Sequence, residues 1–363
     1  MIMKWLQKIN NTVFSTSAAG LYLLAFAIAI GVATFIENDF GTSSAQALIF
    51  RATWFEVLLI LFGCTILANI FRFRMFQQKK WASLIFHSAI IIIIIGAGVT
   101  RYFGYEGMMH IREGKASNTF LSAETYLNFM VTSGDKTYSF AEPVEFSTLG
   151  DNDFSGSYQV GNNLFKVDVN EFIPNPKEQL IESKEGKPVM KVVIAGKRGR
   201  EELFVKQGER TNINGINFNF TDDRLPNAMN VIVRNDSLYF ATDITVVQTV
   251  MATQKTDTLA PADYRPLRLR SMYMVGESGF VIGDFKPSAV AQIVAGDRKM
   301  KNESAAGLRL SISKNGSAKN TVIVGQKGVA GQPEVLDFGD VKMAVSYGSK
   351  EVSVPFNIQL RDF

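Results

Sequence analysis

Three apolar stretches within the first 100 residues constrain this chain more than any other feature. Ala18–Ile36 runs 19 residues without a charge, Thr53–Phe71 runs 19 with Glu56 alone near its start, and Trp81–Thr100 runs 20 with none. A hydrocarbon core about 30 Å thick takes about 20 helical residues, so each stretch is long enough for one span. Three in succession do not fit the buried helices of a water-soluble core. A cleaved signal peptide is the rival reading of the first, with Lys4 and Lys8 as its basic flank. Its apolar run is longer than a usual signal core, however, and two more spans follow. Residues 1–101 therefore read as a three-helix transmembrane anchor, with spans at about 18–36, 53–71 and 81–100.

Charge orients the spans. Residues 1–100 hold seven basic side chains (Lys4, Lys8, Arg51, Arg72, Arg74, Lys79 and Lys80) and three acidic ones (Glu37, Asp39 and Glu56), which is the whole net charge of +4. The remaining 263 residues balance, so no broad basic face exists there to bind nucleic acid. Six of the seven basic residues flank span one on its N-terminal side or fill the loop between spans two and three. The positive-inside rule puts both segments in the cytoplasm and everything after about residue 101 outside. Trp5, Trp54 and Trp81 lie at or near span ends, as interfacial indoles do.

Residues 102–363 lose the long apolar runs and alternate with period two in TYLNFMV, FKVDVNEF, INFNF and LRLSIS, as strands burying one face do. Gly134-Asp135, Asn214-Gly215 and Asn315-Gly316 supply hairpin turns, the Asn-Gly pairs because both positions tolerate positive φ. The segments IPNPKEQLIESKEGKP and TQKTDTLAPADYRP read as polar connections, and Lys197-Arg198-Gly199-Arg200 as a hairpin tip. The expected fold class is membrane α plus all-β: three transmembrane helices followed by a single large exported antiparallel β-sandwich-like domain over 102–363.

One cysteine and two histidines exclude a four-ligand zinc cluster, a disulfide framework and a CxxC redox pair. They also exclude a c-type haem attachment motif in this chain. His87 is the sharpest remaining feature. It sits six residues past Trp81, about 9 Å along the helix at 1.5 Å per residue. An ionisable group at that depth is costly and marks a functional candidate, and imidazole is a common axial ligand of haem iron. The competing reading is a histidine hydrogen-bonded to a neighbouring helix with help from Ser83. His110 lies beyond Arg101 and reads as a solvated strand residue. Helix from His87 to Arg101 already covers about 21 Å, so the two histidines do not readily share one iron. Glu56 reads as interfacial, Cys64 as an apolar filler, and Gly96-Ala97-Gly98, with Ala25, Ala29 and Ala33, as small residues that let helices approach.

Taken together, these residues resemble the ResB (CcsB) family of System II cytochrome c biogenesis. The resemblance rests on Gly41-Thr42 with Gln46, Trp54-Phe55, Asn69, His87 followed by Gly96-Ala97, and then Gly104, Gly107 and Glu113-Gly114. It closes with Pro355-Phe356, Leu360, Asp362 and Phe363. It implies a ResB-like component of a holocytochrome c synthase in the bacterial cytoplasmic membrane, helping haem cross and join the CxxCH of an exported apocytochrome c. It implies haem b as the transported substrate, with His87 as one axial ligand and the second from a CcsA-like partner or the CcsA part of a fused CcsBA chain. A thiol-reducing thioredoxin-like protein and membrane lipid complete the implied partners. No catalytic side chain is expected in this chain without the CcsA part, whose tryptophan-rich external segment is absent here. Relatives continue past the Pro355–Phe363 segment into another span, so the chain reads as an N-terminal portion of a longer polypeptide. The alternative reading is a membrane-anchored β-sandwich scaffold or sensor without cofactor.

Overall fold

The computed structural model describes residues 12–196 and 199–362. Lys4, Trp5, Lys8, Lys197, Arg198 and Phe363, each singled out from the sequence, lie outside the described residues. Three helices are long and apolar enough to cross a membrane. Helix α1 covers Thr16–Ala45, α2 Thr53–Arg72 and α3 Trp81–Phe103, with a π-helical turn at Gln46–Phe50 between the first two. Ser15 caps α1, its hydroxyl accepting the Ala18 amide at 3.0 Å, which satisfies one of the free N–H groups of the first turn. Helix α1 runs past the expected span end at residue 36 and kinks at Gly41, which has φ of +77° and ψ of 167°. Ala29 and Ala33 are buried and, with Phe26 and Ile36, pack against Phe55, Leu58 and Leu59 of α2. That bears out the close-approach reading for these alanines. Gly96 and Gly98 differ: nothing lies within 4 Å of where their Cβ atoms would be, so they line no helix contact. Cys64 is exposed on the outer face of α2.

The rest of the chain is strand. In the first compact unit, which also holds the helices, are β1 (Gly107–Met108), β2 (Ala116–Ser133), β3 (Lys136–Val144), β4 (Phe154–Val160) and β5 (Asn163–Pro174). Next come β6 (Lys177–Gly196), β7 (Gly199–Lys206), β8 (Arg210–Ile213), β9 (Ile216–Asn219), β10 (Met229–Arg234) and β11 (Ser237–Thr242). They are followed by β12 (Val246–Val250), β13 (Lys255–Leu259), β14 (Ala262–Pro266), β15 (Ser271–Val275) and β16 (Ser278–Val294). Strands β17 (Ala306–Lys314), β18 (Ser317–Gly325), β19 (Glu334–Asp337) and β20 (Lys342–Gln359) return to the first unit.

In that unit a sheet ordered β1-β2-β20-β19, with β3 on the other edge of β2, faces a sheet ordered β18-β17-β5-β4. Alternate side chains from both, such as Leu127, Phe129, Val345 and Phe165, Leu308, Leu310, fill one core. The second unit, Glu178–Val294, has its own core of Met190, Val231, Phe240, Tyr273 and Phe280 among others. Its sheets are ordered β13-β12-β15-β16-β6-β7 and β14-β11-β10-β9-β8, and β9 pairs with β10 in parallel. The antiparallel sandwich class expected from alternation is thus present, but as two sandwiches, the second inserted between β5 and β17 of the first. The three expected hairpins close at Ser133–Lys136, Ile213–Ile216 and Lys314–Ser317. The segments read as polar connections hold strands instead. Pairing with neighbouring strands keeps β6, β13 and β14 extended although their sequences are polar and β6 and β14 contain proline.

Candidate functional site

His87 lies on the side of α3 that meets α2. Leu84, Ile90 and Ile91 pack against Ile66 and Ile70 of α2 and Met75 of the following loop. His87 falls three residues after the first of these and three and four before the others, which places it on the same helix face. The imidazole Nδ1 is 2.7 Å from the carbonyl oxygen of Ser83, one turn back on the same helix. A ring nitrogen that close to a carbonyl oxygen carries the proton, so in the neutral ring Nε2 holds the lone pair. Nε2 has no hydrogen-bond partner among the described residues. The Ser83 hydroxyl turns away, to Met75 Sδ at 3.7 Å. Thus the histidine is tied to its own helix by the backbone, where the sequence suggested a bond to a neighbouring helix aided by the Ser83 side chain.

This is the arrangement in which a histidine can bind metal: one nitrogen fixed by a carbonyl, the other presented with its lone pair outward. Helix α3 contributes no buried residue to the bundle, and Ile85, Phe86, Ile92 and Ile93 are all exposed. Asn69, on α2, is buried, and its Oδ1 has no hydrogen-bond partner. One turn earlier Thr65 donates to the Leu61 carbonyl at 2.6 Å. Among the described residues no group of three or more His, Cys, Asp or Glu could hold a metal ion. His110 is exposed in the coil just after β1, rather than in a strand.

A second polar constellation joins the helices to the first sandwich. At the kink, the Thr42 amide donates to Asn302 Oδ1 at 2.9 Å, and the Thr42 hydroxyl donates to Glu37 at 2.6 Å. A Cβ on Gly41 would stand 3.3 Å from the Met300 carbonyl oxygen. Lys299 pairs with Asp39 at 2.9 Å, and that hydrogen bond holds the ammonium above its usual range. Arg51 spans Glu124 at 3.0 Å and Glu145 at 3.1 Å. Burial pushes the Glu145 carboxyl upward, with Arg51 and Lys327 opposing. Arg101, near the end of α3, donates to the carbonyl oxygens of Phe50 and Arg51 at 2.8 and 2.9 Å. Glu56 pairs with Arg101 at 3.4 Å and accepts from Tyr102. Strap residues 299–302 carry no motif signal, and only their placement against Gly41 reveals them.

Residues 77–172 match the ResB-like family, as its description reads. Over 127 residues, 35% of the chain, the sequence is 42% identical to Protein NrfI of Wolinella succinogenes. The match covers 14% of that relative's length, so the chain spans only a small part of it. The family segment begins in the loop before α3, contains His87 and its Ser83 anchor, and ends within β5. Residues 77–172 thus form a ResB-like segment, in agreement with the resemblance carried by the sequence.

Proposed function

We propose that this chain is the ResB-like component of a System II holocytochrome c synthase, in which His87 Nε2 ligates haem b as the haem crosses the membrane. The observation that carries the reading is the Nδ1 contact to the Ser83 carbonyl, which orients the ring and leaves Nε2 available. Haem is the cargo here, and its iron supplies the acceptor orbital. The chain's residues hold the ring tautomer, present it from the face of α3 that meets α2, and surround it with apolar side chains of both helices. The second ligand comes from a CcsA-like partner or fused part, because His110 lies past the end of α3. The basic flanks support a cytoplasmic N-terminus, with both sandwiches in the periplasm. There the sandwiches hold the CcsA part or the apocytochrome, whose cysteines a thioredoxin-like protein keeps reduced.

The test is the absorption spectrum of the chain purified with its CcsA-like partner. His87→Ala is expected to abolish the Soret and α bands of bound haem, while His110→Ala keeps them. Unchanged haem content and an unchanged reduced spectrum in the His87 variant would end the ligand assignment. A haem stain of membranes from a deletion strain addresses the scaffold reading, which predicts that c-type cytochromes persist.

A further inference from the structure

The first half of β2 and the last half of β20 leave the sandwich. Strand β2 passes Glu124, where Arg51 holds it beside the α2 start, and its residues from Leu127 onward enter the core. On the other side of Glu124, Ala116–Leu121 pairs with Glu351–Gln359, and β1 joins at Gly107–Ser122 and Met108–Leu121. The Gly114 amide donates to the Leu360 carbonyl at 2.8 Å, and the Leu360 amide to Lys115 at 3.1 Å, which closes the tip. The ladder shifts register between Leu121 and Thr125 and again between Ser117 and Thr119. The second shift leaves Pro355 and Phe356 in an irregular stretch of β20, with Phe356 56% exposed.

This three-stranded arm has almost no core of its own. Met108, Phe356 and Ile358 are exposed, and so is Tyr105 in its lead-in. A ribbon of this kind is at best marginally stable in water without a hydrophobic face to lie on. Its origin is fixed by the chain: α3 ends at Phe103 and β1 begins at Gly107, a reach of about 13 Å even fully extended. Tyr102 and Phe103, at the end of α3, are exposed as well, so the apolar surface continues from the spanning helix onto the arm. The charges on it are mixed: Arg112, Lys115 and Arg361 against Glu113, Glu351 and Asp362. Aromatic side chains beside both signs of charge suit the headgroup layer of a bilayer, where rings take the boundary and charges stay wet.

We infer that the arm made of β1, the first half of β2 and the last half of β20 lies in the lipid headgroup layer on the side where α3 ends. Phe356 and Ile358 face the acyl boundary. The inference rests on α3 crossing the bilayer and not on haem, so it stands or falls apart from the His87 reading.

The test uses the full chain in phosphatidylcholine nanodiscs, with Cys64→Ala as background. A nitroxide is placed singly at Phe356→Cys and Ile358→Cys, at Met108→Cys as a third arm position, and at Met130→Cys on the exposed sandwich face. Collision rates with oxygen and with a nickel chelate are then read by power saturation. Oxygen is expected to outweigh the chelate at the three arm positions and the reverse at Met130. Chelate collisions matching those at Met130 would overturn the inference and place the arm in water. Low collision with both reagents would also overturn it, in favour of a protein surface, with a second copy the available occupant.

Discussion

Gly41 adopts φ of +77° and ψ of 167°, a region open almost only to glycine. A side chain there also meets the Met300 carbonyl oxygen and Asn302 Oδ1. Gly41→Ala is therefore expected to cost about 1–3 kcal/mol, the usual cost of such backbone strain. It should loosen the strap at 299–302, and faster proteolysis there than in the parent chain, in matched detergent, is the check. Glu145 gives a pH dependence with a definite sign. Burial holds its folded carboxyl above the ordinary value, so its penalty is absent below that value and grows as pH rises through the raised one. Stability should fall across that window, and Glu145→Gln should flatten the slope of the urea midpoint. Asp168 and Glu202, held below the carboxylate range by Ser155 and Lys166 and by Lys191, act at lower pH and with the opposite sign. Of the residue-scale features, the place of His87 within the third helix was legible in the sequence. The carbonyl that fixes its tautomer was not, because sequence carries no rotamer.

At the scale of elements, hydropathy placed the three spans within a few residues, except where α1 continues through its kink to Ala45. That continuation is polar and is held by Asn302 and Lys299, partners some 260 positions away that no local pattern reveals. Strand β6 was hidden for a related reason. Over its first twelve residues only Leu180 is buried, so no alternation marks it, and its place in the sheet between β16 and β7 makes it a strand. Small residues in the helices carry a contrast that sequence alone could not draw. Ala33 is 1% exposed against α2, while Gly96 meets nothing within 4 Å. Ala33→Phe should overpack the α1–α2 contact at about 1–3 kcal/mol. Gly96→Ala should be neutral or stabilising by about 0.5–1 kcal/mol, since alanine is the better helix former. Thermal unfolding of the two variants in the same detergent, followed by helical circular dichroism, separates them.

For the whole molecule, the division into two sandwiches decides what can be removed. The ends of the first unit that flank the insertion are held together. The Gly296 amide donates to the Pro174 carbonyl at 2.9 Å, and Asn175 Nδ2 donates to the Asp297 and Lys299 carbonyls at 2.8 and 2.9 Å. A short Gly-Ser linker between Lys177 and Ala295 can therefore replace Glu178–Val294 without stretching the chain. The excised unit also begins and ends in neighbouring strands: β6 and β16 are adjacent, and Ser288 donates to the Ser183 carbonyl at 2.6 Å. A unit of this size with its own aromatic core buries enough surface to fold alone. The shortened chain is expected to keep its sheet signal and the Arg51 and Thr42 contacts to the helices. The isolated insert should unfold in a single cooperative transition, with Tyr273 as its probe. That phenol is buried against the Arg268 backbone and pushed up to about 12, so its ionisation by ultraviolet titration should lag behind that of exposed tyrosines until the insert unfolds. An insert that titrates all its tyrosines together at their ordinary value, or a shortened chain that loses its sheet signal, would mean that the two sandwiches depend on each other to fold.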